Sequence, residues 1–92
     1  MTPSFEAFEA EQRRIGCDEV LERKWQPGTT VETHTHPFSV RALVVQGEMW
    51  LTVGHNVRHI RAGETFTLDH GVPHSERYGP EGATYWVARI KA

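Results

Sequence analysis

The chain has 92 residues and a formal net charge of −2, from 10 Lys+Arg against 12 Asp+Glu. That length suits one modest domain (1–92) and excludes two. The balance of charge lacks the basic stripe of a nucleic-acid binder, and the longest apolar stretch, Ala42–Val45, is far too short to span a bilayer.

The first element in chain order reads as a helix over residues 1–16. Thr2 can cap it, Pro3 suits the first helical position, and Gly16 can end it in a left-handed conformation. Phe5, Phe8, Gln12 and Ile15 fall on one side at spacings of three and four, and Glu9–Arg13 is an i,i+4 pair on the other. Such a helix packs on the body or on a partner subunit. Cys17, the single cysteine, excludes an intramolecular disulfide and a multi-thiolate zinc site. It reads as a small buried or edge residue. The start of the chain turns acidic at once and lacks the basic and apolar regions of a signal peptide, so the expected location is a reducing cytoplasm.

From residue 17 to 92 the pattern is all-β. Expected strands are Val20–Trp25, Thr30–His36, Val40–Gln46, Glu48–Val53, Arg58–Ile60, Thr65–Leu68, His74–Tyr78 and Thr84–Ile90. Gly- and Pro-containing turns separate them, which indicates a sandwich or barrel. In Glu48–Val53 the period of two puts Met49, Leu51 and Val53 on one face and Trp50 on the other, as a packing or dimer-contact residue.

Six histidines have unequal claims to chemistry. His34 and His36 are two apart on an expected strand, so both rings point to one face with Cα atoms roughly 6.5–7 Å apart. Two imidazoles at that distance can lean onto one metal ion. His55 lies in the turn Gly54-His55-Asn56 and His59 on the next short strand, both expected at the surface. His70 precedes His74 in a loop and can line a cavity mouth.

Gly28, His34, His36, Val40 and Gly47 resemble the first sequence block of the cupin superfamily, G-x5-H-x-H-x3-E-x6-G. Gly63, Asp69, Gly71, His74 and Tyr78 resemble the second, G-x5-P-x-G-x2-H-x3-N. The resemblance spans Gly28 to Tyr78 and implies a small jelly-roll β-barrel with His34, His36 and His74 converging on one divalent transition metal. Asp69 and Tyr78 depart from the family pattern at turn and packing positions. Val40 stands where the family usually has a glutamate ligand, so the protein would offer three neutral nitrogens and leave the full +2 charge to water, hydroxide or an anionic substrate. Imidazole ligands suit Zn, Fe, Ni or Cu. Among cupins, three-histidine sites with iron serve dioxygenases, and others have lost metal and ligands together to bind small molecules.

Glu76 is two residues from His74 and is the best surrogate acid, ahead of Gln46 and Glu48. Phe38, Val40, Phe66, His70, Glu76 and Tyr78 are the expected pocket residues. The functional expectation is a metal-dependent enzyme of oxygenase, isomerase or lyase type on a small organic substrate. The alternative is a metal-free binding or sensory module. A homodimer is expected, with the N-terminal helix and Trp50 as its apolar surface, and no nucleic-acid or membrane partner.

Overall fold

The computed structural model describes residues 4–91. One helix, α1 (Phe5–Arg14), precedes six strands: β1 (Glu19–Trp25), β2 (Thr30–His34), β3 (Phe38–Val53), β4 (Asn56–Arg61), β5 (Thr65–Leu68) and β6 (His74–Lys91). The caps expected at Thr2 and Pro3 lie outside the described residues. Ser4 caps the helix instead, its hydroxyl accepting from the Ala7 N–H at 3.1 Å. Ile15 is the C-cap residue and is exposed, so the apolar stripe ends a turn earlier than its spacing suggests.

The hydrophobic alternation of short strands is present, but two pairs of expected strands are continuous. Val40–Gln46 and Glu48–Val53 belong to β3, and His74–Tyr78 and Thr84–Ile90 belong to β6. Both long strands run antiparallel to each other and change register at Val44/Gln46 and Gly47/Met49. Gly47 and Gly82 take φ of +75° and +70° at this bend. A Cβ on Gly47 would overlap the Gly82 carbonyl oxygen, and one on Gly82 would overlap the carbonyl of Trp25. The glycines therefore mark a bulge where backbones approach closely, not strand ends.

The bend divides the strands into two layers. β1, the C-terminal half of β6, the N-terminal half of β3 and β5 form one. β2, the N-terminal half of β6, the C-terminal half of β3 and β4 form the other. Their inner faces meet in one core, with Val40, Ala42, Val44 and Phe66 from the first layer against Met49, Leu51, Ile60 and Tyr78 from the second. This is the jelly-roll arrangement.

Helix α1 covers the outer face of the first layer. Phe5 and Phe8 pack on Trp86 with ring centroids 5.8 and 5.9 Å apart, beside Cys17, Val20 and Ala88. Buried Gln12 accepts from the Arg41 guanidinium at 3.1 Å, and the Cys17 thiol points to the same oxygen. The apolar side of the helix is thus covered within the chain. On the outer face of the second layer, Trp50 lies between its cross-strand neighbours, with the Arg77 guanidinium 4.1 Å from its ring and His59 stacked at 4.5 Å. Among the described residues no helix is long and apolar enough to cross a membrane.

Candidate metal centre

β2 ends at His34, and His36 lies just beyond it. Pro37 follows, which keeps His36 out of the helical region, so the chain stays extended and both rings still share a face. His74 opens β6 directly opposite His34. The loop before it is tied back by a hydrogen bond from the Gly71 N–H to the His36 carbonyl at 2.8 Å. Strand pairing fixes two of the histidines relative to each other, and this loop contact fixes the third.

The three rings form a triangle with centroid separations of 4.4, 4.8 and 4.8 Å. One ligand nitrogen from each lies within 4.8 Å of the others, a cluster that could hold a metal ion. The His34 Nδ1 is 2.8 Å from the Glu32 carbonyl, and the His74 Nδ1 is 2.9 Å from the Val72 carbonyl. A carbonyl only accepts, so each Nδ1 carries the proton and each Nε2 presents a lone pair. That is how metal-ligating imidazoles are oriented by their surroundings. His36 stacks flat on Phe38 at 4.8 Å. Burial, followed by the neighbouring His74 and His34, lowers its pKa and favours the neutral, ligating form.

The site opens into a cavity of about 100 Å³ between the layers. Phe38, Val40, Phe66 and Glu76 line it. Two of the residues expected there stand elsewhere. His70 is exposed, its backbone N–H bonded to the Ser39 hydroxyl at 3.0 Å. Tyr78 is buried behind the wall, stacked on Trp25 at 4.8 Å. His55 and His59 are at the surface.

Glu76 is the acid that shares the cavity. Its side chain is only 8% exposed and one oxygen lies 3.6 Å from the His34 Nε2. The Tyr78 hydroxyl donates to its other oxygen at 2.7 Å. Burial, with Tyr85 and Glu76 adding to it, pushes the Tyr78 hydroxyl far above the usual tyrosine range, so it stays a donor. Val40, 6% exposed, faces the same space and cannot coordinate.

Arg23 and Arg89, unanticipated from the sequence, also line the cavity. They sit on β1 and β6 at positions two apart from Trp25 and Val87, so alternation alone identifies an inward face. A charged side chain on such a face reads as a solvated strand residue until the cavity is known to lie behind it.

The cupin domain pattern matches residues 21–87, well over half the chain, so this chain belongs to the cupin family. Solved structures of similar fold include a protein of unknown function from Rhizobium leguminosarum bv. viciae 3841. It has a TM-score of 0.75 and 18% identity, over 79% of this chain and 69% of that one. An RmlC-like cupin from Shewanella frigidimarina has a TM-score of 0.70 and 23% identity, over 79% and 65% of the two chains. A W96Y oxalate decarboxylase from Bacillus subtilis has a TM-score of 0.74 and 20% identity, over 85% of this chain and 22% of that one. The chain therefore spans about two thirds of the length of the first two and about a fifth of the third. No curated protein sequence matches it closely enough to count as a relative.

Proposed function

We propose that this chain is a small metal-binding cupin that acts on a compact organic substrate, with His34, His36 and His74 as the protein ligands. One observation carries the reading: three imidazoles converge within ligating reach while backbone carbonyls hold two of them in the tautomer that offers Nε2. Two or three inward-facing imidazoles without such a partner would be a costly way to fill a barrel. The donor set suits Zn, Fe, Ni or Cu.

A metal bound there would supply Lewis-acid chemistry beside an open position. The chain's own residues do the rest. Glu76 places a buried carboxylate beside the histidines and balances part of the charge, and Tyr78 holds that carboxylate in place. Phe38, Phe66 and Val40 make an apolar wall that limits water. Similar folds in oxalate decarboxylase and in DMSP lyases support a lyase-type reaction, with oxygenase and isomerase chemistry as the other classes to assay. Mn(II) centres are described for the Bacillus subtilis oxalate decarboxylase.

The test is elemental analysis of the protein purified without chelator or affinity tag, beside a His34→Ala, His74→Ala variant. Near-stoichiometric metal in the parent and none in the variant is expected. A parent without metal even after reconstitution would overturn the reading in favour of a metal-free binding module.

A further inference from the structure

We propose that the ligand of this cavity is a small carboxylate, anchored by Arg23 with the Trp25 indole N–H beside it. The inference rests on the metal reading of the same cavity and goes on to assign its substrate class.

Three features of the cavity wall support it. First, Arg23 lies on the cavity wall and has no ion-pair partner among the described residues. Its guanidinium is 4.9 Å from the Trp25 ring, which holds it in place without neutralising it. Arg89 differs in being paired with Glu19 at 2.8 Å. Second, Trp25 Nε1 is the one buried side-chain nitrogen or oxygen without a hydrogen-bond partner among the described residues. The Tyr85 hydroxyl lies near enough to interact with this N–H, at a geometry outside a regular hydrogen bond, so the donor is weakly engaged within the chain and still open to a ligand. Trp25 lines the same cavity, and a buried donor of this kind is normally satisfied by a ligand or an ordered water.

Third, no acid on the cavity wall is spare for Arg23. Glu76, the carboxylate lining the cavity, accepts from Tyr78 and lies beside His34, Arg89 is paired with Glu19, and Val40 contributes no charge. A divalent ion held by the histidines would make the cavity positive. An anion entering the cavity meets a guanidinium whose fork matches a carboxylate. Size narrows the class. About 100 Å³ is well below the ~300–1,000 Å³ of the usual pocket for a drug-sized ligand. A carboxylate with a short chain fits that space, and a nucleotide or sugar phosphate does not.

The experiment titrates acetate and glycolate, with acetamide and glycolamide as uncharged counterparts, into the full chain in zinc-loaded and chelator-treated forms. Heat or tryptophan fluorescence reads binding, and elemental analysis reads metal in every sample. The acids are expected to bind and the amides to bind at least about tenfold more weakly. Arg23→Gln should weaken the acids by about 10- to 100-fold, the range for losing a charged hydrogen-bonding partner, with metal content unchanged. Arg23→Lys should recover part of the loss. Arg14→Gln, on the far side of helix α1, should change nothing. Full metal with Arg23→Gln binding the acids as the parent does would overturn the anchor and leave the metal site standing. Zero metal would overturn the metal reading. In that case Arg23-dependent acid binding by the metal-free protein supports the anchor, and its absence overturns it.

Discussion

Replacing Glu76 by Gln should separate the two states of the site by sign. The carboxylate is 8% exposed, and its partners are unequal: one oxygen accepts from Tyr78 at 2.7 Å, and the other lies 3.6 Å from the His34 Nε2, beyond a good hydrogen bond. A buried carboxylate with one strong partner is only partly compensated. A cation held by the adjacent histidines would complete the compensation. Gln keeps the shape and an oxygen for the Tyr78 hydroxyl and removes the charge.

The metal-free variant should therefore be as stable as the parent or more so. Metal affinity should fall about 10- to 100-fold, the usual loss on removing a group that supports a metal site. That corresponds to roughly 1.4–2.7 kcal/mol at 1.36 kcal/mol per decade. For a domain of this size each kcal/mol moves Tm by about 4–8 °C, so the gain in Tm from saturating zinc should shrink by about 6–22 °C. Thermal unfolding followed by circular dichroism, with zinc and with chelator, measures both states, and a competition titration gives the affinity. A metal-free variant destabilised by more than about 1 kcal/mol with an unchanged zinc response would refute the reasoning. Glu76 would then be only a structural acceptor for Tyr78.

Metal occupancy should fall as pH drops through about 6 to 5, because protons compete with the metal for imidazole nitrogens, and a free imidazole gains its proton at about pH 6.5. The depressed pKa of His36 places its own protonation below that of a free imidazole. In the window between the two values the unfolded chain binds more protons, so the metal-free fold also loses stability as pH falls from about 6.5. Dialysis at stepped pH with elemental analysis checks this, and full occupancy well below pH 5 would contradict it. Gly47→Ala should cost more than ~2 kcal/mol, about 1–2 from the left-handed backbone and the rest from overlap with the Gly82 carbonyl, read as a lower urea midpoint; a loss under about 1 kcal/mol would contradict it. A homodimer is expected by light scattering at micromolar concentration, through the outer groove lined by Trp50, Thr52, Val57 and Arg77, where Val57 is 62% exposed. Val57→Glu should give monomer, and a monomeric parent would defeat the expectation.

Part of the histidine cluster was legible because its spacing is local: His34 and His36 need only an extended chain to share a face. His74 lies far along the chain, and only the resemblance to the cupin blocks tied it to the pair. Strand count was less legible. Gly47 and the Gly79–Gly82 segment carry the signals that end strands elsewhere, yet here they let β3 and β6 bend while staying paired. A single sequence does not separate a bulge from a turn, since both require the same glycine freedom. The helix cap moved from Thr2 to Ser4 for a similar reason, as several adjacent residues can accept the same N–H. Tyr78 was placed on the right strand face, but depth decided its role. The core takes it below Glu76, and it reaches the cavity only through that carboxylate.

Arg23 and Arg89 were illegible for a deeper reason. Alternation assigns a side chain to a face but does not say whether that face is closed by apolar packing or left open around a hollow. On β1 the inward positions are Leu21, Arg23 and Trp25, a series that also describes an edge strand at the surface. What distinguishes it is tertiary: β1 flanks the same cavity that β2 and β6 furnish with histidines. The loss of an acid at Val40 then takes on a different meaning. In a cavity with no other charges it would point to decay of the site. Beside an unpaired guanidinium, it leaves room and positive potential for an acid brought in by the ligand. Restoring the acid with Val40→Glu should therefore strengthen metal binding and weaken acetate binding together, and a variant that gained metal affinity without losing acetate would separate the two effects.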